Sequence, residues 1–176
     1  IKAELQIGRG PQARVVLTQA GPDDLLVLSR SQWAQRPGDS LERLVTEALC
    51  AVMLIGPRAY RSAQGPMVVL DGSAGALRAL RRALMLARDG QRPLSLVVGP
   101  GVDASTREQA HELLAEWGVE ARFLELPRLD GALLVQALRR ERPWLLFLAR
   151  ESPLLRGPRG RLLQAELDEA PLVLVP

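Results

Sequence analysis

The sequence predicts an α/β protein: a doubly wound, five-stranded parallel sheet, preceded by a partial copy of the same unit. Three observations carry this reading. Short, wholly apolar runs of strand length recur along the chain, as strands covered on both faces require. Segments with helical apolar spacing alternate with them, which implies parallel pairing through right-handed crossovers. Finally, two strand-length runs near the start reappear 120 positions later.

The clearest run is Met67-Val68-Val69-Leu70, closed by the turn residues Asp71-Gly72-Ser73. Leu77, Leu80, Leu84 and Ala87 then follow at steps of three and four, with Arg78, Arg81, Arg82 and Arg88 on the other faces. Ser73 is the expected N-cap and Gly90 the expected stop. Leu94–Val98 reads as the second strand, and Ser105-Thr106-Arg107-Glu108 as a capping box that opens a helix ending near Gly118. Ala121–Leu126 is the third strand, Leu133–Arg140 the third helix and Trp144–Leu148 the fourth strand. Arg161–Asp168 is a short helix, and Leu172–Val175 the fifth strand.

The first 57 residues fit the same scheme. Leu25-Leu26-Val27-Leu28-Ser29-Arg30 resembles Leu145-Leu146-Phe147-Leu148-Ala149-Arg150. At the same offset, with no gap, Cys50-Ala51-Val52-Met53-Leu54-Ile55 falls on Ala170-Pro171-Leu172-Val173-Leu174-Val175. Internal repeats outrank local assignments. Residues 1–57 therefore read as the last part of an earlier copy, 58–65 as a linker and 66–176 as the complete copy. In the partial copy Ala3–Ile7 is the third strand and Pro11–Ala20 a helix. Asp24–Leu28 is the fourth strand, Asp39 or Ser40 caps a helix over Leu41–Leu49, and Ala51–Ile55 is the fifth strand. Such a half unit lacks its central strand and leaves apolar surface that invites association.

Composition narrows the function classes. The chain is 47% hydrophobic, enough for a sizeable core, and no apolar run reaches the ~18–20 residues of a membrane span. Net charge is +3, and every cation except Lys2 is arginine. Aromatic residues make up only 3%, so there is no interleaving of rings and cations for stacking on nucleic acid. Cys50 is the lone cysteine; an unpaired thiol in an apolar run suits a reducing compartment, and the expected location is the cytoplasm. No metal-ligand spacing, catalytic triad or acid/base carboxylate pair can be assembled. His111, the only histidine, reads as a surface residue, and Trp33 as an exposed loop residue that marks an interface. The expectation is a non-enzymatic protein without metal.

Met67-Val68-Val69-Leu70-Asp71-Gly72-Ser73, followed by an Ala/Leu helix, resembles the opening strand and turn of the universal stress protein family. Asp39-Ser40-Leu41-Glu42-Arg43-Leu44 through Cys50–Ile55 resembles that family's closing helix and strand. The resemblance implies the adenine nucleotide alpha hydrolase-like fold, with strand order 3-2-1-4-5. It also implies association through strand five, either as a homodimer or by intramolecular pairing of the two copies, and an unidentified protein partner.

In such a sheet the ligand crevice lies beyond the carboxyl ends of the strands, where strand order reverses, here between strands one and four of the complete copy. The resemblance implies that Asp71, Gly72 and Ser73 lie near adenine or ribose and that Val98 contacts the base. Arg150, Gly157 and Gly160, in the loop after strand four, would meet phosphates, as would Arg156, Arg159 and Arg161. Glycine admits backbone N–H groups to phosphate, and a helix N-terminus adds a favourable dipole. The family's signature there is Gly-x2-Gly-x9-Gly-Ser/Thr. This sequence departs from it: the leading glycines fall on Ala149 and Ser152, and the trailing pair on Leu162-Leu163. The partial copy has Ser29 and Gln32, then Asp39-Ser40. The expected function is thus a universal-stress-protein-like module that dimerises and binds partners in stress response, with a degenerate nucleotide site and no cofactor. Two alternatives stand beside it: an ATP-binding member of the family, and a cytoplasmic regulatory domain of a larger transporter.

Overall fold

The structure, a computed structural model, describes residues 12–29, 41–57, 62, 64–155 and 170–176. In chain order the elements are α1 (Gln12–Gln19), β1 (Leu25–Ser29), α2 (Leu41–Glu47), β2 (Ala51–Ile55), β3 (Met67–Leu70) and α3 (Ala76–Asp89). Then come β4 (Leu94–Val98), α4 (Ala104–Trp117), β5 (Ala121–Glu125), α5 (Gly131–Glu141), β6 (Leu146–Ala149) and β7 (Leu172–Val175). A 3-10 turn, Pro153–Leu155, follows β6.

All seven strands form one sheet in the order β1-β2-β7-β6-β3-β4-β5. The α/β class is the one the periodicity predicts. The five strands expected of residues 66–176 are β3 to β7, and β1 and β2 of the first 57 residues extend the same sheet. Every pairing is parallel except one: β2 runs antiparallel to β7, with Val52 opposite Leu174 and Leu54 opposite Leu172. The outer edge of β7 is therefore hydrogen-bonded within the chain. Of the two pairings expected for this edge, a second chain or another part of the same chain, the sheet contains the second.

Apolar residues pack on both faces. On one face Leu44, Cys50, Val52, Val69, Leu134, Leu146, Leu148 and Leu172 share a cluster with α1, α2 and α5. On the other, Val68, Leu70, Leu96, Phe147 and Val173 pack under α3 and α4. β3, β6 and β7 are buried at every residue, which explains their lack of polar alternation. Cys50 is a fully buried, free thiol within the first cluster.

Three helix starts differ from the sequence reading. Asp103, not Ser105, caps α4: its carboxylate accepts from the Thr106 amide at 2.7 Å, and Ser105 Oγ instead accepts from Gln109. A carboxylate two residues earlier satisfies the same orphan amides and lets the helix begin sooner. Asp130 does the same for α5 through the Leu133 amide at 2.9 Å. α3 starts at Ala76 behind Gly75 with no side-chain cap, so Ser73 does not cap it. Several expected features lie outside the described residues. These are Ala3–Ile7, Pro11, Trp33, the Asp39/Ser40 cap and the Arg161–Asp168 helix.

Candidate functional site

Chain order reverses at β3, which has β4 on one side and β6 on the other. The carboxyl ends of β3 and β6 are thus the switch point where a crevice is expected. After β3 the backbone turns through Asp71, Gly72 and Ser73. Asp71 Oδ1 accepts from the Ser73 amide at 2.9 Å, an Asx-type turn. Gly72 has φ +79°, and a Cβ there would stand 3.1 Å from the Gly101 carbonyl oxygen. Only glycine suits that pairing of positive φ and close approach.

The turn leaves two polar atoms over. Asp71 Oδ2 and Ser73 Oγ are buried without a hydrogen-bond partner among the described residues. Buried polar atoms are nearly always paired, so an orphaned pair at a switch point is a chemical feature of the site. Val98 sits deeper. It is 1% exposed and packs in the apolar cluster with Leu70 and Val102.

The opposite wall, from β6, shows what the sequence reading missed. Glu151 lies against the start of α3: a Cβ on Gly75 would meet Glu151 Oε1 at 2.6 Å and Ala149 Cβ at 3.0 Å. Arg78 of α3 holds Glu151 at 3.2 Å and also donates through Nε to the Pro176 carbonyl at 2.6 Å. A carboxylate, paired with Arg78, thus stands beside the start of α3. Ser152, where the family has its second glycine, is fully buried. Its amide donates to the Ala149 carbonyl, and its hydroxyl accepts from the Leu154 amide at 3.3 Å, which winds the loop into the 3-10 turn. A buried serine in place of glycine is the one signal in the sequence that could have suggested this local rebuilding.

Arg150 goes elsewhere. Its guanidinium donates to the carbonyls of Ala48 at 2.5 Å, Thr46 at 3.4 Å and Cys50 at 2.9 Å. Burial pulls its pKa below the usual guanidinium value, with the nearby Cys50 and Glu151 acting in the opposite direction. The structure places Arg150, expected from the resemblance to meet phosphates, as a clasp between the end of β6 and the α2–β2 turn, with its Nε left over. The physical reason is supply: the last turn of α2 leaves carbonyls without intrahelical partners, and a guanidinium answers several of them at once. Gly157 and Gly160, with Arg156, Arg159 and Arg161, lie outside the described residues. Asp71, Gly72 and Ser73 thus share the turn after β3, and Ala149 and Glu151 stand against Gly75 at the start of α3.

Away from this crevice, His111 is exposed and stacks on Phe123, ring centroids 4.7 Å apart. Among the described residues no group of three metal-ligating side chains converges. No helix among them is long and apolar enough to cross a membrane.

No protein-family model and no curated protein matches the chain. Solved structures do. A universal stress protein from Archaeoglobus fulgidus DSM 4304 superposes over 93% of this chain and 64% of its own, with TM-score 0.69 and 11% identity. The fold is that of a universal stress protein. A functionally unknown protein from Pseudomonas aeruginosa PAO1 shares it over 95% of this chain and 68% of its own, with TM-score 0.56 and 14% identity. A universal stress protein crystallised with cAMP is 22% identical over 64% of this chain and 95% of its own, with TM-score 0.48. At these identities the likeness establishes the universal stress protein fold, and the chemistry has to be read from the side chains.

Proposed function

We propose that the chain is a universal-stress-protein-like module of the cytoplasm that acts by binding protein partners in stress response, not by catalysis. Its two repeated segments would be joined as copies of one unit across the β2–β7 seam. The antiparallel pairing of the two strands related by the 120-residue offset supports that reading. The nucleotide crevice is degenerate, and one observation carries this: Glu151, held by Arg78, sets a carboxylate against the start of α3. A phosphate entering there would have to share Arg78 with a carboxylate that already holds it.

The alternative, a nucleotide-binding module, draws on one specific observation. Asp71 Oδ2 and Ser73 Oγ are buried at the switch point and unpartnered among the described residues, as groups awaiting a ribose or base would be. Calorimetric titration of MgATP into the full chain separates the two readings. The degenerate site predicts no saturable heat at micromolar ligand. Saturable binding that Asp71→Asn removes, with the Ser73 amide acceptor kept, would establish the nucleotide reading instead.

A further inference from the structure

The repeat and the burial pattern disagree at one place. Leu25 and Val27 on β1 are the counterparts, 120 residues earlier, of Leu145 and Phe147 beside and within β6. Leu145 and Phe147 are each 2% exposed, whereas Leu25 is 47% and Val27 55% exposed. Their neighbour Leu28 is buried at 6%, close to its counterpart Leu148 at 0%. One face of β1 is therefore covered and the other is not. The covered face lies in the cluster with Ala13, Leu44 and Ala48 of the α1–α2 side. On the other face, α3 lies over β3 and β6 and reaches β7, and only Arg82, Met85 and Leu86 of α3 border the groove beside Leu25 at the start of β1.

We propose that this bare face of β1, beside the covered Ala51 of β2, is a docking surface for an amphipathic helix from outside residues 1–176, with the small-and-leucine apolar stripe of α3. The helix would lie on β1 as α3 lies on β6. The floor continues an interface the protein already builds, since Ala51 and Val173 share the cluster beneath α3. A groove of about 150 Å³ runs between Leu25 and Met53 of the sheet and Met85 of α3. Met85 is 44% and Leu86 36% exposed, so α3 turns two large apolar side chains toward the empty position. Exposed apolar side chains gathered in one patch mark an interaction site, whereas scattered ones do not. Ridges of one helix beside another are the usual way to cover such a surface. This inference deepens the partner-binding reading above and rests on it. The nucleotide titration has an independent outcome, so either reading can fail alone.

The test is a fluorescence-anisotropy titration of the intact chain into a labelled peptide of residues 74–90, the α3 sequence, with a scrambled peptide of the same composition beside it. Saturable binding of the native order is expected. Val27→Glu and Met85→Glu should each weaken it at least about tenfold, as loss of a central apolar anchor does. Phe123→Glu, on the far edge strand, should leave it unchanged. Both target side chains are largely exposed, so the variants fold, which circular dichroism verifies. No saturable binding, equal binding of the scrambled peptide, or binding indifferent to Val27→Glu overturns the proposal. So does a chain that dimerises by light scattering and becomes monomeric with Val27→Glu, since a second copy would then be the occupant.

Discussion

Single residues in this protein are assigned their work by what stands next to them. Arg150, read from the sequence as a phosphate ligand, donates to three carbonyls around the α2–β2 turn. Gly65 has no motif around it, yet a Cβ there would lie 1.7 Å from the Pro93 carbonyl oxygen, so the chain passes that point only as glycine. Two carboxylates, one a helix cap and one an ion-pair partner, contribute to the pH response. The Thr106 amide holds the Asp103 carboxyl below its ordinary range, and hydrogen bonding from Arg107, at 2.6 Å, does the same to Glu125. A carboxylate whose folded pKa is depressed contributes stability that is complete above the unfolded value and is lost as pH falls through the folded one. Thermal stability is therefore expected to decline below the ordinary carboxylate range. Asp103→Asn, which keeps a capping side chain without the charge, should flatten that acid limb in a series of melting curves.

At the scale of elements, equivalence in sequence does not mean equivalence in environment. β1 and β6 share a pattern, but only β6 is roofed on both sides. Phe147→Ala should destabilise the protein by about 3–5 kcal/mol, the range for a fully buried aromatic side chain. Val27→Ala, at the matching position on β1, should cost less than about 1 kcal/mol, because little burial is lost there. Urea unfolding of both variants measures the difference directly. Equal losses would mean that β1 is roofed in solution by something absent from residues 1–176. The helix starts teach a related lesson. Ser105 carries a capping-box sequence and Asp103 makes the cap, because any good acceptor placed just upstream can take the same amides.

At the scale of the whole molecule, the β2–β7 seam is the organising feature. It joins two parallel blocks into one seven-stranded sheet and closes an edge that a parallel α/β unit would otherwise leave open. Arg150 ties the same seam from its end. Residues 64–176 expressed alone would lose β2 and expose the apolar run Leu172–Val175 as a bare edge. That fragment is expected to dimerise through β7, and multi-angle light scattering should report twice its mass. A monomeric fragment would show that the edge is not sticky without β2.

Much of the fold is legible in the residues, because buried parallel strands and amphipathic helices must advertise themselves by run length and spacing. Met67–Leu70, Leu94–Val98 and Leu172–Val175 are strands in both readings, and Asp71-Gly72-Ser73 turns where its residue types say it should. The 120-residue echo is likewise a property of the string of letters. Which groups meet is not. That Glu151 reaches the start of α3, that Arg150 serves carbonyls a hundred residues away, and that Val27 is bare where Phe147 is covered all depend on packing between distant segments. Periodicity records how each segment folds against a generic apolar neighbour. Only the assembled sheet decides which neighbour arrives, and at the switch point and on β1 that choice sets what the protein can bind.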